Sequence, residues 1–284
     1  MESFSADWLT LREPVDHAAR VEPLVTTLAG RLGGAGTSAR GVDLAAGTGS
    51  NVRYLLPRLP TLTHWTLVDH DAALLAEATA RLAAHPEARG RTFAPRRADL
   101  NDLAALPIDG AALVTASALL DLVSADWIWA FARRCREARV HVLCTLTYDG
   151  RLDCDPADAL DARVRDLVTA HQRTTTGFGL ALGPAATTAA VAAFEAEGFA
   201  VTVGDSDWVL DATQAELQRQ LIAGWAGAAR DMAPAEDAAI AAWRDRRLAA
   251  VASGTSRLRV GHGDLLALSP TTSGALAGAT NREP

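Results

Sequence analysis

The sequence predicts a doubly wound α/β fold built on a seven-stranded, mostly parallel sheet with helical lid insertions. Three observations carry this expectation. Short apolar runs alternate with helix-like stretches from Arg40 to Leu146. A Gly-rich turn, Ala45-Ala46-Gly47-Thr48-Gly49, follows the first run directly. Carboxylates stand where later runs end, at Asp69 and near Asp99.

Residues 1–32 precede the sheet and read as a helical arm, helical from about Val15 to Leu32. Gly41-Val42-Asp43-Leu44 is the first strand, and an amphipathic helix at 51–59 follows its turn. His64-Trp65-Thr66-Leu67-Val68 is the second strand, ended by Asp69, with Asp71 as the N-cap of a helix at 72–84. The third strand lies near 91–95. The fourth, at 111–116, runs into Ser117-Ala118-Leu119-Leu120-Asp121. Val140-His141-Val142-Leu143-Cys144-Thr145-Leu146 is the fifth, and there the pattern breaks. Residues 149–184 are polar and Gly-punctuated, longer than an ordinary connection, with one helix at 160–170. A helix at 185–197 and a strand at 199–203 resume the scheme. Residues 212–252 form two helical segments parted at Pro234, and 256–268 read as a hairpin-like last strand. The chain thus divides into the arm, one domain over 33–270 with lid insertions at about 149–184 and 212–252, and a disordered tail at 271–284.

Bulk properties exclude several classes. The 284 residues are 49% hydrophobic, enough for one large domain or a domain with a lid. A net charge of −7 argues against nucleic acid, whose phosphates demand a basic stripe. Cys135, Cys144 and Cys154 have neither metal-ligand spacing nor a disulfide framework, which suits a reducing cytoplasm. The first residues lack the pattern of a secretion signal, and no apolar run is long enough to span a membrane. Many Ala and Arg with very few Lys suit a GC-rich, bacterial genome.

The glycine turn lets a ligand approach the main chain, with the N–H groups of the following helix facing it. That suits a nucleotide-like cofactor. A dinucleotide turn needs a third glycine, where Val52 stands here. The string Val42-Asp43-Leu44-Ala45-Ala46-Gly47-Thr48-Gly49 instead resembles the first motif of the class I S-adenosylmethionine (SAM) dependent methyltransferases. Asp69, 20 residues beyond Gly49, is positioned to accept hydrogens from ribose hydroxyls. Val68-Asp69-His70-Asp71 looks like the family's second motif, and Asp99-Leu100 like the pair that meets the adenine. Ser117 ends the fourth strand in small residues, as a ligand lying on the sheet edge requires.

The resemblance implies that Asp43 lies near the methionine end of SAM, and that Ala45, Gly47, Gly49 and Asn51 also bind the cofactor. It implies that Asp69, His70, Asp99, Leu100 and Ser117 take the rest, the product being S-adenosylhomocysteine (SAH). It leaves the acceptor unnamed: an O or N atom of a small molecule is expected, with no metal, the chain acting as monomer or homodimer.

In open α/β sheets ligands lie beyond the carboxyl ends of the strands, so the insertion at 149–184 is where an acceptor would be met. His171 reads either as a general base or as a cation at a helix end. Tyr148 and Asp149 stand at the tip of the fifth strand, as catalytic and substrate-binding candidates respectively. Gln172 and Arg173 are candidate substrate contacts, Arg173 otherwise a solvated cation. Trp208 and Trp225 either line the pocket, caging a cationic amine, or pack in the core. On the arm, Asp16 and Arg20 read as an i,i+4 ion pair, or Arg12 or Arg20 as a latch on the SAM carboxylate. Competing with methyl transfer are an NAD(P)-dependent oxidoreductase and a SAM-fold protein without methylating activity, either a binding module or a SAM-consuming cyclase.

Overall fold

A computed structural model describes residues 5–33 and 38–270. The expected disordered tail at 271–284 lies outside the described residues. The arm is two helices, not one. Ser5 caps α1 (Ala6–Ala19), its side chain accepting from the Trp8 N–H. The chain then extends at Arg20, and α2 (Glu22–Gly33) begins. Pro23 has no N–H to offer the Ala19 carbonyl, so a continuous helix breaks here.

The strands and helices then alternate: β1 (Ala39–Leu44), α3 (Ser50–Leu55), β2 (Leu62–Asp69), α4 (Ala72–Ala83), β3 (Thr92–Arg97), β4 (Leu113–Ser117), α5 (Ala125–Ala138) and β5 (His141–Asp155). Asp71 caps α4 as expected, accepting from the Ala73 and Leu74 N–H groups. Beyond β5 come α6 (Asp161–Gln172) and a small hairpin of β6 (Thr175–Thr176) and β7 (Gly179–Leu180). There follow α7 (Ala186–Ala196), β8 (Ala200–Asp205), β9 (Trp208–Leu210), α8 (Ala215–Met232), α9 (Asp237–Ala252) and β10 (Arg257–Leu268). The break between α8 and α9 falls at Pro234, as the sequence predicts.

The main sheet has eight strands in the order β3-β2-β1-β4-β5-β10-β8, with β9 added on β10. Pairing is parallel from β3 through β5, while β10 is antiparallel to β5, β8 and β9. The eighth strand is β9, too short to stand out in the sequence. The last strand is not a hairpin. It is one long strand whose partner is β5, and β5 runs nine residues beyond Leu146, to Asp155. The first part of the expected loop at 149–184 is therefore strand.

Side chains alternate across the sheet, so both faces are buried. Val42, Leu44, Val142 and Cys144 face α5 and α7 in one core. Leu67, Leu113, Leu143 and Leu266 face α2, α3 and α4 in another. A third core gathers α6, α8 and α9 against the extended part of β5, together with β9, β10 and Val15 of α1. The strand order reverses between β1 and β4, which opens a crevice at their carboxyl ends.

Candidate active site

At that crevice lies a cavity of about 690 Å³. Its floor is the glycine turn. Ala45 and Gly47 adopt positive φ of 51° and 52°, and Gly47 presents its backbone to the cavity. A Cβ on Gly47 would lie 3.1 Å from Leu9 Cδ1 of α1, so the helix seals the turn from above. Gly49 does not line the cavity. It has φ of 80° at the start of α3, and a Cβ there would meet Leu82 and Ala78 of α4. Its role is helix packing.

Asp69 joins the tips of β1 and β2. One oxygen accepts the Gly47 N–H at 2.8 Å, and the other accepts the Asp71 N–H at 3.0 Å. His70 Nδ1 lies 3.1 Å from the same carboxylate. Beyond β3, Asp99 accepts the Asn101 N–H, and Asn101 Nδ2 donates to the Gly177 carbonyl at 3.1 Å. The β6–β7 hairpin is thereby tied to the Asp99 loop. Phe178 turns inward there and meets Trp127 edge-on, while Trp127 Nε1 donates to the Leu100 carbonyl.

Asp43 is buried beneath the cavity and does not line it, because its strand turns the side chain under the glycine turn. Its carboxylate accepts from Asn51 Nδ2 at 2.8 Å, and Asn51 Oδ1 accepts from Arg20 Nη1 at 2.8 Å. Burial pushes the Asp43 carboxyl up to about 7. Asn51 does line the cavity, as do Ala45, Gly47, Asp69, His70, Asp99, Leu100, Ser117, His171 and Gln172.

Tyr148, Asp149, Arg173, Trp208 and Trp225 are not brought to it. Tyr148 packs edge-on against His262, carried past the crevice by the long β5. Asp149 pairs with Arg151 at 2.5 Å. Arg173 is the C-cap of α6. Trp225 packs on the third core. Trp208 sits under a cation, but the cation is the protein's own Arg12, 5.0 Å over its ring. His171 lies at the rim, its side chain 43% exposed and its Nε2 3.9 Å from Asp231.

The largest departure is α1. Leu9, Arg12, Asp16, His17 and Arg20 all face the cavity. The expected Asp16–Arg20 pair does not form. Asp16 binds Arg12 instead, at 2.8 Å. Arg20 reaches Asn51 and Asp264 and lies 4.5 Å over the Tyr54 ring. His17 Nε2 lies 3.1 Å from both the backbone and hydroxyl oxygens of Ser50, and burial lowers its pKa. The only sequence signal for this was the helical spacing of these polar residues.

No protein-family model matches the chain, and no curated protein does. Among solved structures it is similar to a cyclopropane synthase from Mycobacterium tuberculosis, at 12% identity over 93% of this chain and 94% of that one, with a TM-score of 0.52. An O-methyltransferase family protein from Burkholderia thailandensis is 19% identical over 64% of this chain, with a TM-score of 0.45. This chain spans about half, 52%, of that protein's length. A geranyl diphosphate C-methyltransferase from Streptomyces coelicolor A3(2) is 11% identical over 83% of this chain and 72% of that one, with a TM-score of 0.47. The chain has the class I SAM-dependent methyltransferase fold.

Proposed function

We propose that the protein is a SAM-dependent methyltransferase acting on an O or N atom of a small molecule. One observation carries the cofactor assignment. Beside the glycine turn, in one cavity, stand a buried acid and a buried base with unmet polar atoms: Asp16 Oδ1, and Arg20 Nη2, while Arg20 Nε faces Asp264 at 3.5 Å. Asp16 is in the last turn of α1, and Arg20 is the extended residue that ends it. An α-amino acid group is the ligand that satisfies such a pair, its ammonium on Asp16 and its carboxylate on Arg20. SAM has that group and NAD lacks it.

Burial raises the carboxyls of Asp16, Asp43 and Asp121 toward the neutral form. Asp69 and Asp99 line the cavity at the strand tips, where a carboxylate suits ribose hydroxyls and opposes a pyrophosphate. The Gly47 backbone, Asn51, Asp69, His70, Asp99, Leu100 and Ser117 would hold the rest of the cofactor. Bound there, SAM supplies a methyl group on a good leaving group.

The chain's own residues then orient the acceptor, exclude water and handle one proton. The acceptor's lone pair would take that methyl group, SAH leaving with the carbon–sulfur bonding pair. His171 takes the proton the acceptor loses and passes it to solvent at the rim. Gln172, with its buried Oε1 unmet, accepts a hydrogen bond from the acceptor. Groups that handle X–H hydrogens suit O or N acceptors.

The test is thermal shift with SAM, SAH, NAD and NADP, followed by product analysis. SAM and SAH are expected to stabilise, and SAH to accumulate. Stabilisation by NAD alone gives the oxidoreductase reading, and methylthioadenosine as product gives the cyclase.

A further inference from the structure

Arg12 and Arg20 enter the cavity from the same helix, and they serve different ends of it. Along the sheet order β3-β2-β1-β4, the proposed cofactor contacts occupy successive strand tips: Asp99, Asp69, the glycine turn and Ser117. Arg20 bonds Asn51 beside the β1 turn and faces Asp264 of β10 at 3.5 Å. Arg12 turns instead to β9. It lies over Trp208 of β9, which packs on His262 of β10 at 4.9 Å between ring centres. With the proposed cofactor contacts spread from β3 to β4, this side of the cavity is left for an acceptor.

The Arg12 side chain is only 11% exposed. Among the described residues its guanidinium makes one hydrogen bond, from Nε to Asp16 at 2.8 Å. Both terminal nitrogens are left over. Guanidinium presents its donors as a rigid planar fork, and here Trp208 fixes the plane. Arg12 borders the cavity with its terminal nitrogens free of protein acceptors among the described residues, so an anion in the cavity would complete the fork. Asp121 also acts on Arg12 electrostatically, but it does not line the cavity.

We propose that Arg12 is the anion receptor of the acceptor subsite, so that the molecule methylated carries a carboxylate or a phosphate held by the terminal nitrogens of Arg12. This rests on the methyltransferase reading. It separates the two arginines: one for the amino acid end of the cofactor, one for the acceptor.

The test is calorimetric binding of benzoate, phenyl phosphate and benzamide to the SAH-saturated protein at constant ionic strength. The anions are expected to bind about tenfold or more tighter than the amide, and Arg12→Gln to abolish that preference. Arg12→Lys keeps the charge beside Asp16 and is expected to retain part of the preference, which controls for misfolding. In both variants the SAH affinity is expected to stay within roughly threefold of the parent. Tighter benzoate assigns a carboxylate, and tighter phenyl phosphate a phosphate. Equal binding of amide and anions, or a preference that survives Arg12→Gln, overturns the proposal. So does a loss of SAH affinity in Arg12→Gln, which would make Arg12 a cofactor ligand. If SAH fails to bind the parent, the methyltransferase reading falls instead, and the anion titrations without SAH still decide the role of Arg12.

Discussion

At the residue scale, Asp43 links the sheet to the cavity without touching it. Its folded-state pKa, about 7, lies above the ordinary carboxyl value of 3.8. Between those values the folded protein holds a proton that the unfolded chain has released. The stabilisation is therefore full below the unfolded pKa and is lost as pH rises through about 7. Asp43→Asn keeps an oxygen for the Asn51 donor and cannot ionise. Urea melts of the variant are expected to lose less stability between about pH 5 and about pH 8, the parent's excess slope approaching 1.4 kcal/mol per pH unit at most. An unchanged slope would assign the pH dependence to another group. His171 has a different signature. His171→Ala is expected to slow the methyl-transfer step on the order of 10²-fold while SAM affinity holds. A rise in KM without that slowing would make it an orienting residue.

At the element scale, α1 supplies what the strand tips lack. Arg20→Gln is expected to weaken SAM binding by about 1–3 kcal/mol, because the buried partners are left unpaired. Methylthioadenosine has no amino acid end and should bind the variant as it binds the parent; equal losses for both ligands would mean the helix had simply unpacked. Nothing in the sequence separates this role from a surface ion pair. The spacing of Arg12, Asp16 and Arg20 says only that they share a face, and what that face meets is set by distant residues such as Asn51, Trp208 and Asp264. The strand tips were readable for the opposite reason. A glycine turn and a terminal acid act where they stand in the chain, so Gly47, Asp69 and Asp99 could be placed from order alone. Strand β5 was misread because its apolar run stops at Leu146, where Tyr148-Asp149-Gly150 resembles a turn. Pairing with β10 overrides that local signal. Leu146 and Gly150, at positive φ, and the irregular register around Gly261 and Asp264 let the ribbon bend as it continues. The bend carries Tyr148 and Asp149 away from the cavity.

At the scale of the whole molecule, the sheet order sets the sequence of subsites and the helices decide which of them is open. The polar ties of α1 reach α3 and α4, while Val15 and Arg12 pack on the third core and β9. Glu13 binds Arg53 at 2.5 Å, Thr10 binds Arg81 at 2.8 Å, and His17 and Arg20 hold Ser50 and Asn51. All of these lie over the half of the cavity assigned above to the cofactor. The other half opens past His171, whose side chain is 43% exposed. On the proposed function, a methylated product would depart past that rim while these ties hold, and spent cofactor would leave after they release. Turnover should follow a compulsory order, cofactor first in and last out. Initial-rate kinetics should show SAH competing with SAM yet acting noncompetitively against the acceptor, and the slow step of the cycle should be the unfastening of a helix.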